Sequence, residues 1–306
     1  MKVLRSVPEL TAVPGPVFLA IGVFDGVHLG HRAVIERALG DAEMAGGAAV
    51  VVTFDPHPIR ILRPDVAPRL ITATEHKIQL IRALGVSHLL VIPFTAEFAG
   101  TPPEEFIRSL ADSCRPLREI CVGHSWEFGK NRAGNLQLLD RMGNELGFEE
   151  IGVNAVKVDG DVVSSTLIRH AVREGDLARA ARFLGREYSI LGTVEHGEGL
   201  GRTLGFPTAN LSAHSEQFPP NGVYAVDAEV RGERRRGIVN VGVRPTISPA
   251  KVARLLELHL FDLDTDLYGE DIEVFFRRYI RPEMKFEGIE ALRAQIVADI
   301  ASARTG

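Results

Sequence analysis

The stretch Gly22-Val23-Phe24-Asp25-Gly26-Val27-His28-Leu29-Gly30-His31 constrains this chain more than any other. An apolar run, Val17 to Ile21, precedes it, and a helical pattern, Ala33 to Leu39, follows. Strand, glycine-rich turn and helix in that order offer backbone N–H groups and the positive end of a helix dipole to phosphate. His28 and His31 add two imidazoles where that helix begins. Imidazole donates to phosphate oxygens and takes up charge near neutral pH. The arrangement suits a nucleoside triphosphate losing pyrophosphate.

To about residue 185 the chain alternates strand and helix. Val17–Ile21, Ala48–Phe54, Ser87–Phe94 and Glu119–Val122 read as buried parallel strands. His76–Leu84, Pro103–Leu110, Asn135–Leu146 and Thr166–Val172 read as helices. This alternation predicts a doubly wound α/β sheet with ligands at the carboxyl ends of its strands. After Tyr188 short strands separated by turns take over: Tyr188–Val194, Gly222–Val230, Arg236–Val241, Arg254–Leu263 and Asp271–Tyr279. Such spacing predicts a small barrel or sandwich. Ile289, Leu292, Ile296 and Ile300 share one helical face, predicting a last helix against it. A chain of 306 residues allows about two domains, with the boundary expected near 180–190.

Four further clusters carry chemistry. Ser164-Ser165-Thr166, with Arg169 one turn on, either caps a helix or clamps phosphate. In Thr53-Phe54-Asp55-Pro56-His57-Pro58, two prolines hold His57 in a rigid loop at a strand end. Gly197 to Asn210 is a glycine-rich loop closing on Pro207-Thr208-Ala209-Asn210. Thr208 and Asn210 point the same way on extended backbone and offer oxygens to a hard cation such as Mg²⁺. Finally, Leu256, Leu258 and Leu260 alternate inward, leaving Glu257 and His259 on the opposite face. Glu257 there is either a surface ion-pair partner or a general base.

The histidine turn resembles that of the His-X-Gly-His nucleotidyltransferases. With the Phe54–Pro58 loop, the Val122-Gly123…Phe128-Gly129-Lys130 loop and the Ser164–Arg169 helix, the first half resembles the FMN adenylyltransferase module of the bacterial bifunctional riboflavin kinase/FAD synthetases. The second half resembles their riboflavin kinase module from the glycine-rich loop and Pro-Thr-Ala-Asn through Asn221–Tyr224, Asn240–Thr246, Glu257-Leu258-His259, Leu267-Tyr268-Gly269 and Arg281–Phe286. The resemblance implies a Rossmann-like domain over residues 1–186 and a six-stranded barrel with a terminal helix over 187–306. It implies that riboflavin is phosphorylated to FMN and FMN adenylylated to FAD, with ATP and Mg²⁺. In the first domain Gly22, Phe24, Asp25, Gly26, His28, His31, Ser164, Ser165, Thr166 and Arg169 would bind ATP, with His28, His31 and Arg169 active in catalysis. His57, Ser125, Trp126 and Phe128 would face FMN. In the second, Gly199, Gly201, Arg202, Gly205, Pro207, Thr208 and Asn210 would bind ATP and flavin, Thr208 and Asn210 holding the metal. Glu257 would be the base and Arg281 would help close over the flavin. One departure stands out: Ser125-Trp126 replaces an Asp or Asn followed by Phe. It raises the alternative of a kinase with a weakened adenylyl site; a rival from another class is a flavin-binding regulator without catalysis.

Composition excludes other classes. A net charge of −5 argues against a nucleic-acid partner. The basic run Arg231 to Arg236 reads as a solvated hairpin tip. No apolar stretch reaches the length of a membrane span, and Met1–Leu10 has no secretory core. Cys114 and Cys121 fit neither a zinc nor a redox pair. The expected setting is the cytoplasm, with small molecules as partners and self-association left open.

Overall fold

Six runs form a parallel sheet, the inner ones apolar enough to be covered on both faces. They are β1 (Lys2–Leu4), β2 (Val17–Ile21), β3 (Ala48–Asp55), β4 (His88–Pro93), β5 (Leu117–Gly123) and β6 (Glu149–Val153), in the order β1-β4-β3-β2-β5-β6. The helices are α1 (Leu29–Met44), α2 (Pro58–Leu62), α3 (Thr74–Ala83), α4 (Ala96–Ala99), α5 (Pro103–Ser113) and α6 (Leu136–Leu146). Alternate strand residues feed two cores. Leu19, Ile21, Val50, Val52 and Ile120 pack with Phe106 and Leu110 of α5 and Leu139 of α6. Ala20, Val51, Leu89 and Cys121 pack with Ile35 and Ala38 of α1 and Ile81 of α3. This is the doubly wound sheet expected. The order reverses at β2, which lies between β3 and β5, so the carboxyl end of β2 is the switch point where such sheets bind ligands. Two strands of this sheet escaped the sequence reading for a physical reason. Three-residue β1 is too short to show a period, and β6 carries Glu149 and Glu150 at an edge.

The structure describes residues 1–196, 205–214, 216–244, 253–263 and 265–305. Contacts group them into two units, Met1–Pro68 with Thr74–Ser165, and Arg69–Ala73 with Thr166–Gly306. The first ends with a small hairpin, β7 (Lys157–Val158) and β8 (Asp161–Val162). Helix α7 (Ser165–Glu174) starts where the units part, and α8 (Leu177–Leu184) follows in the second. A five-residue strap, Arg69–Ala73, joins that second unit although the chain passes it early. Fully buried Glu216 holds the strap, accepting from Ala73 N at 2.9 Å and from Leu191 N at 3.0 Å.

The second unit is a closed antiparallel barrel, β10-β13-β12-β11-β14-β9. Its strands are β9 (Ser189–Glu195), β10 (Ala209–Ala213), β11 (Gly222–Val230), β12 (Glu233–Arg244), β13 (Ala253–Leu260) and β14 (Asp271–Arg281). The closed ladder decides between the two architectures the strand spacing allowed. Helix α9 (Ile289–Arg304) packs Ile300 and Ala303 against Val223, Ala225, Ile238 and Phe261. Ile289, expected on that face, is 60 % exposed at the start of the helix. The hairpin tip is solvated as expected, with Arg231 paired to Glu270, Arg234 to Glu187 and Arg235 to Glu233. Among the described residues no helix is long and apolar enough to cross a membrane.

Candidate functional sites

The histidine turn leaves β2 at the switch point. Gly26 sits at φ +88°, and Phe24 and Val27 also take positive φ, so the chain reverses tightly before α1. His28 caps α1: its Nδ1 accepts from His31 N at 3.3 Å. That bond stacks the two imidazoles 3.5 Å apart and 17° from parallel. A Cβ on Gly30 would come within 3.2 Å of the His28 ring, so this position keeps the pair together. Phe24, expected against the nucleotide, is buried with its ring edge on His31 at 5.3 Å. It supports the imidazoles from beneath. Gly22 lies over that same ring. Ser165 Oγ donates to the Asp25 carbonyl at 2.9 Å, joining the hydroxyl cluster to the turn. Thr166 and Arg169 belong to the second unit, where Arg169 Nε donates to Arg69 O at 2.9 Å.

At the end of the neighbouring strand β3, His57 caps α2, its Nδ1 accepting from Ile59 N at 3.2 Å. Thr74 Oγ1 donates to the Asp55 carboxylate in the same loop. From Phe54 an aromatic layer runs through Phe106, at 6.4 Å, to Phe128, a further 6.3 Å away. Trp126 stacks on Phe128 at 4.3 Å and 14°. Phe128, expected to face flavin, is only 7 % exposed and is a core residue. Trp126 is half-buried and Ser125 exposed, so these two carry the open side of the loop.

Two buried groups were absent from the sequence reading. Lys77 of α3 hydrogen-bonds between the ends of β2 and β3, and burial pushes its ammonium down to about 8 against the favourable charges of Asp25 and Asp55. Its signal was its spacing from Ile81, one turn on along the face turned to the sheet. Glu119 and Cys121 of β5 meet Asp41 of α1, with Cys121 Sγ donating to Glu119 Oε1 at 2.8 Å. Burial, with Asp41 beside it, pushes the Glu119 carboxyl up to about 7.

On the barrel, Asn210 pairs in register with Glu257, and Glu257 with Asn240. These three half-buried polar residues make one row across β10, β13 and β12, while Leu256, Leu258, Val239 and Val241 point into the barrel. Asn240 Nδ2 donates to Glu257 Oε2 at 3.3 Å. Asn240 was legible in the sequence, since it alternates with Val239 and Val241. His259 Nδ1 meets the Pro207 carbonyl at 2.8 Å, fixing the approach to exposed Thr208. A cavity of about 70 Å³ lies beside them, lined by Pro207, Thr208, Leu258, Leu260 and Tyr268 among others. Gly205 precedes this segment in the left-handed region, at φ +85°. Gly199, Gly201 and Arg202 lie outside the described residues, as do Pro245 and Thr246. Arg281, expected over the flavin, instead grips buried Asp299 of α9, with Nε to Oδ1 at 2.9 Å and Nη2 to Oδ2 at 2.8 Å. A carboxylate on the barrel-facing side of the helix takes up the guanidinium.

A helix dipole and paired imidazoles at a switch point, with a carboxylate–amide row on a separate barrel, define an enzyme that moves phosphorus-containing groups. Comparison with known proteins is specific. The FAD synthetase family matches residues 11–167 and the riboflavin kinase family residues 184–306. The bifunctional riboflavin kinase/FMN adenylyltransferase of Escherichia coli (strain K12) is 36% identical over 306 residues, covering 99% of this chain and 97% of that protein. The protein of the same name from Listeria monocytogenes is 36% identical over 285 residues, covering 92% and 89%. A crystal structure described as a macrolide-efflux protein from Streptococcus pneumoniae has the same fold, with TM-score 0.84, 28% identity and both chains fully covered. The chain belongs to the bifunctional riboflavin kinase/FMN adenylyltransferase family. It is an enzyme that phosphorylates riboflavin to FMN and adenylylates FMN to FAD.

Proposed function

We propose that adenylyl transfer takes place at the carboxyl edge of the sheet and phosphorylation on the outer row of the barrel, with residues 1–186 and 187–306 as the functional division. In the first reaction an oxygen of the FMN phosphate attacks the α-phosphorus of ATP, and the bond to the bridging oxygen breaks to release pyrophosphate. That phosphate is already ionised, so no strong base is needed. His28, His31 and Arg169 stabilise the charge that gathers on the departing oxygens, assisted by the N-terminus of α1. Ser164, Ser165 and Thr166 hold ATP; His57, Ser125 and Trp126 hold FMN.

In the second reaction Glu257 takes the proton from a riboflavin hydroxyl as that oxygen attacks the γ-phosphorus of ATP, and the bond to the β,γ-bridging oxygen breaks to release ADP. Asn240 orients the carboxylate through its amide. The hydroxyl of Thr208 and the amide oxygen of Asn210 are hard donors that fit Mg²⁺, which when bound supplies positive charge against the phosphates. Reduced thiols at Cys114 and Cys121 suit a cytoplasmic enzyme.

The observation that carries this division is that the Asn210–Glu257–Asn240 row is built wholly from barrel strands, whereas the imidazole pair is built wholly from the β2–α1 turn. Full-length Glu257→Gln and His31→Ala, assayed with riboflavin and ATP and then with FMN and ATP, test it. Chromatographic separation should show FMN formation lost in the first variant and FAD formation lost in the second. Loss of both products from supplied FMN and riboflavin in either variant overturns the division.

A further inference from the structure

One buried cation in the first unit takes no part in the chemistry above. Lys77 is 5 % exposed, and its Nζ donates to Val23 O at 3.1 Å, Thr53 Oγ1 at 3.0 Å and Phe54 O at 3.3 Å. Thr53 Oγ1 in turn donates to Val23 O at 3.0 Å. Regular pairing of β2 with β3 ends at Ile21 and Val52, with one further bond from Gly22 N to Val52 O at 3.1 Å. Beyond that point the two segments part, one turning through Asp25 to His28 and His31 at the start of α1, the other staying in β3 to Asp55 before the loop of His57. The ammonium takes over where the ladder stops.

Burying an ammonium is costly unless its donors are satisfied. Here the three protons meet three oxygens, and Asp25 after β2, Asp55 at the end of β3 and Glu75 on α3 supply opposite charge. An apolar residue would fill the space without joining the strand ends. We infer that Lys77 is a positioning residue for adenylyl transfer, its ammonium fixing the spacing between the histidine turn and the Pro-His-Pro loop. The inference rests on the reading of those loops as the ATP and FMN sites. In-line attack needs the two phosphorus-bearing groups aligned within a fraction of an ångström, and a misplacement of about 1 Å costs roughly 100-fold in rate.

The test is Lys77→Met in the full-length enzyme. Its kcat for FAD formation should fall about 100-fold, with KM raised for both ATP and FMN, because both loops move. Riboflavin phosphorylation by the same preparation should stay at the level of the parent protein, which shows that the barrel is folded. Should kcat and both KM values match the parent well below a lowered melting temperature, Lys77 is a core residue and the inference fails. His31→Ala separates this failure from that of the underlying reading. If His31→Ala keeps full FAD formation, the site reading falls and the Lys77 inference with it; if it is inactive while Lys77→Met is not, only the inference falls. A second measurement needs no apolar substitution. Neutral lysine has two protons for three acceptors, so FAD formation by the parent should decline above about pH 8. Lys77→Arg should move that decline to higher pH. A flat profile to pH 10 in the parent overturns the inference.

Discussion

The two units reach the same substrate, ATP, by opposite routes. In the sheet the proposed chemistry sits at backbone ends: a helix N-terminus, two capping imidazoles and loops leaving β2 and β3. On the barrel it sits in mid-strand, on the row Asn210, Glu257 and Asn240. The cause is burial. A parallel sheet covered by helices on both faces has no exposed strand side chain to spare, so only the strand ends meet water. A small closed barrel buries its inner face alone, and every second residue of a strand faces outward. On the proposed reading, phosphate would be met by N–H groups and imidazole in one unit, and in the other by Mg²⁺ held on the Thr208 hydroxyl and the Asn210 amide oxygen.

The sharpest way to break this comparison is Glu257→Gln, which keeps the row's shape and removes its base. FMN formation should fall by roughly 10²- to 10⁴-fold, with FAD formation from supplied FMN intact. Parent-like turnover would leave the barrel row as a hydrogen-bonded outer face with no part in the reaction. Next comes His31→Ala, which leaves the His28 cap in place. FAD formation should fall by about 10²- to 10³-fold, the scale for loss of one donor to a developing oxyanion. A change confined to the KM for ATP would recast the imidazole pair as a binding device.

Smaller effects sharpen the picture. Trp126→Ala should weaken FMN binding to the sheet unit by about 1–3 kcal/mol, the stacking scale for nucleobases. Quenching of the fluorescence of Trp126, the single tryptophan, reports the same contact in the parent. An unchanged KM for FMN with a lowered melting temperature in Trp126→Ala, and no quenching by FMN in the parent, would instead assign Trp126 to covering Phe128. The smallest effect concerns Glu119, whose folded carboxyl titrates near 7, above the unfolded 4.5. The protonated form is favoured by the fold, so the stability it contributes is full below pH 4.5 and lost as pH rises through 7. Glu119→Gln should flatten that slope in melts at pH 5 and pH 8. An unaltered slope would mean that the Glu119 carboxyl does not carry it.

Much of this was legible because period and burial agreed. Val17–Ile21 is buried at every position, and Leu256, Leu258 and Leu260 alternate with Glu257 and His259 as a one-sided strand must. What stayed hidden depended on partners distant in sequence. Arg281 looks like a ligand residue until Asp299 is found beneath it on α9. Lys77 looks solvent-facing until the carbonyls of Val23 and Phe54 are seen above its helix. Phe128 sits in a flavin loop by sequence and in the aromatic core by packing, since Phe106 comes from α5, distant in the chain. His28 was read for its chemistry, and its second role as the cap of α1 required the turn geometry.

The strap has a consequence for the order in which the protein is made. Ala73 leaves the ribosome 143 residues before Glu216, the carboxylate that accepts its N–H. At about 5–20 residues per second, that interval is on the order of ten seconds. Through it the sheet can be complete while Leu70, Ile71 and Ala73, all buried in the finished enzyme, still wait for their cover. A ribosome stalled near residue 186 would therefore expose an apolar tether rather than a finished half, and a chaperone that grips short apolar segments would find it there.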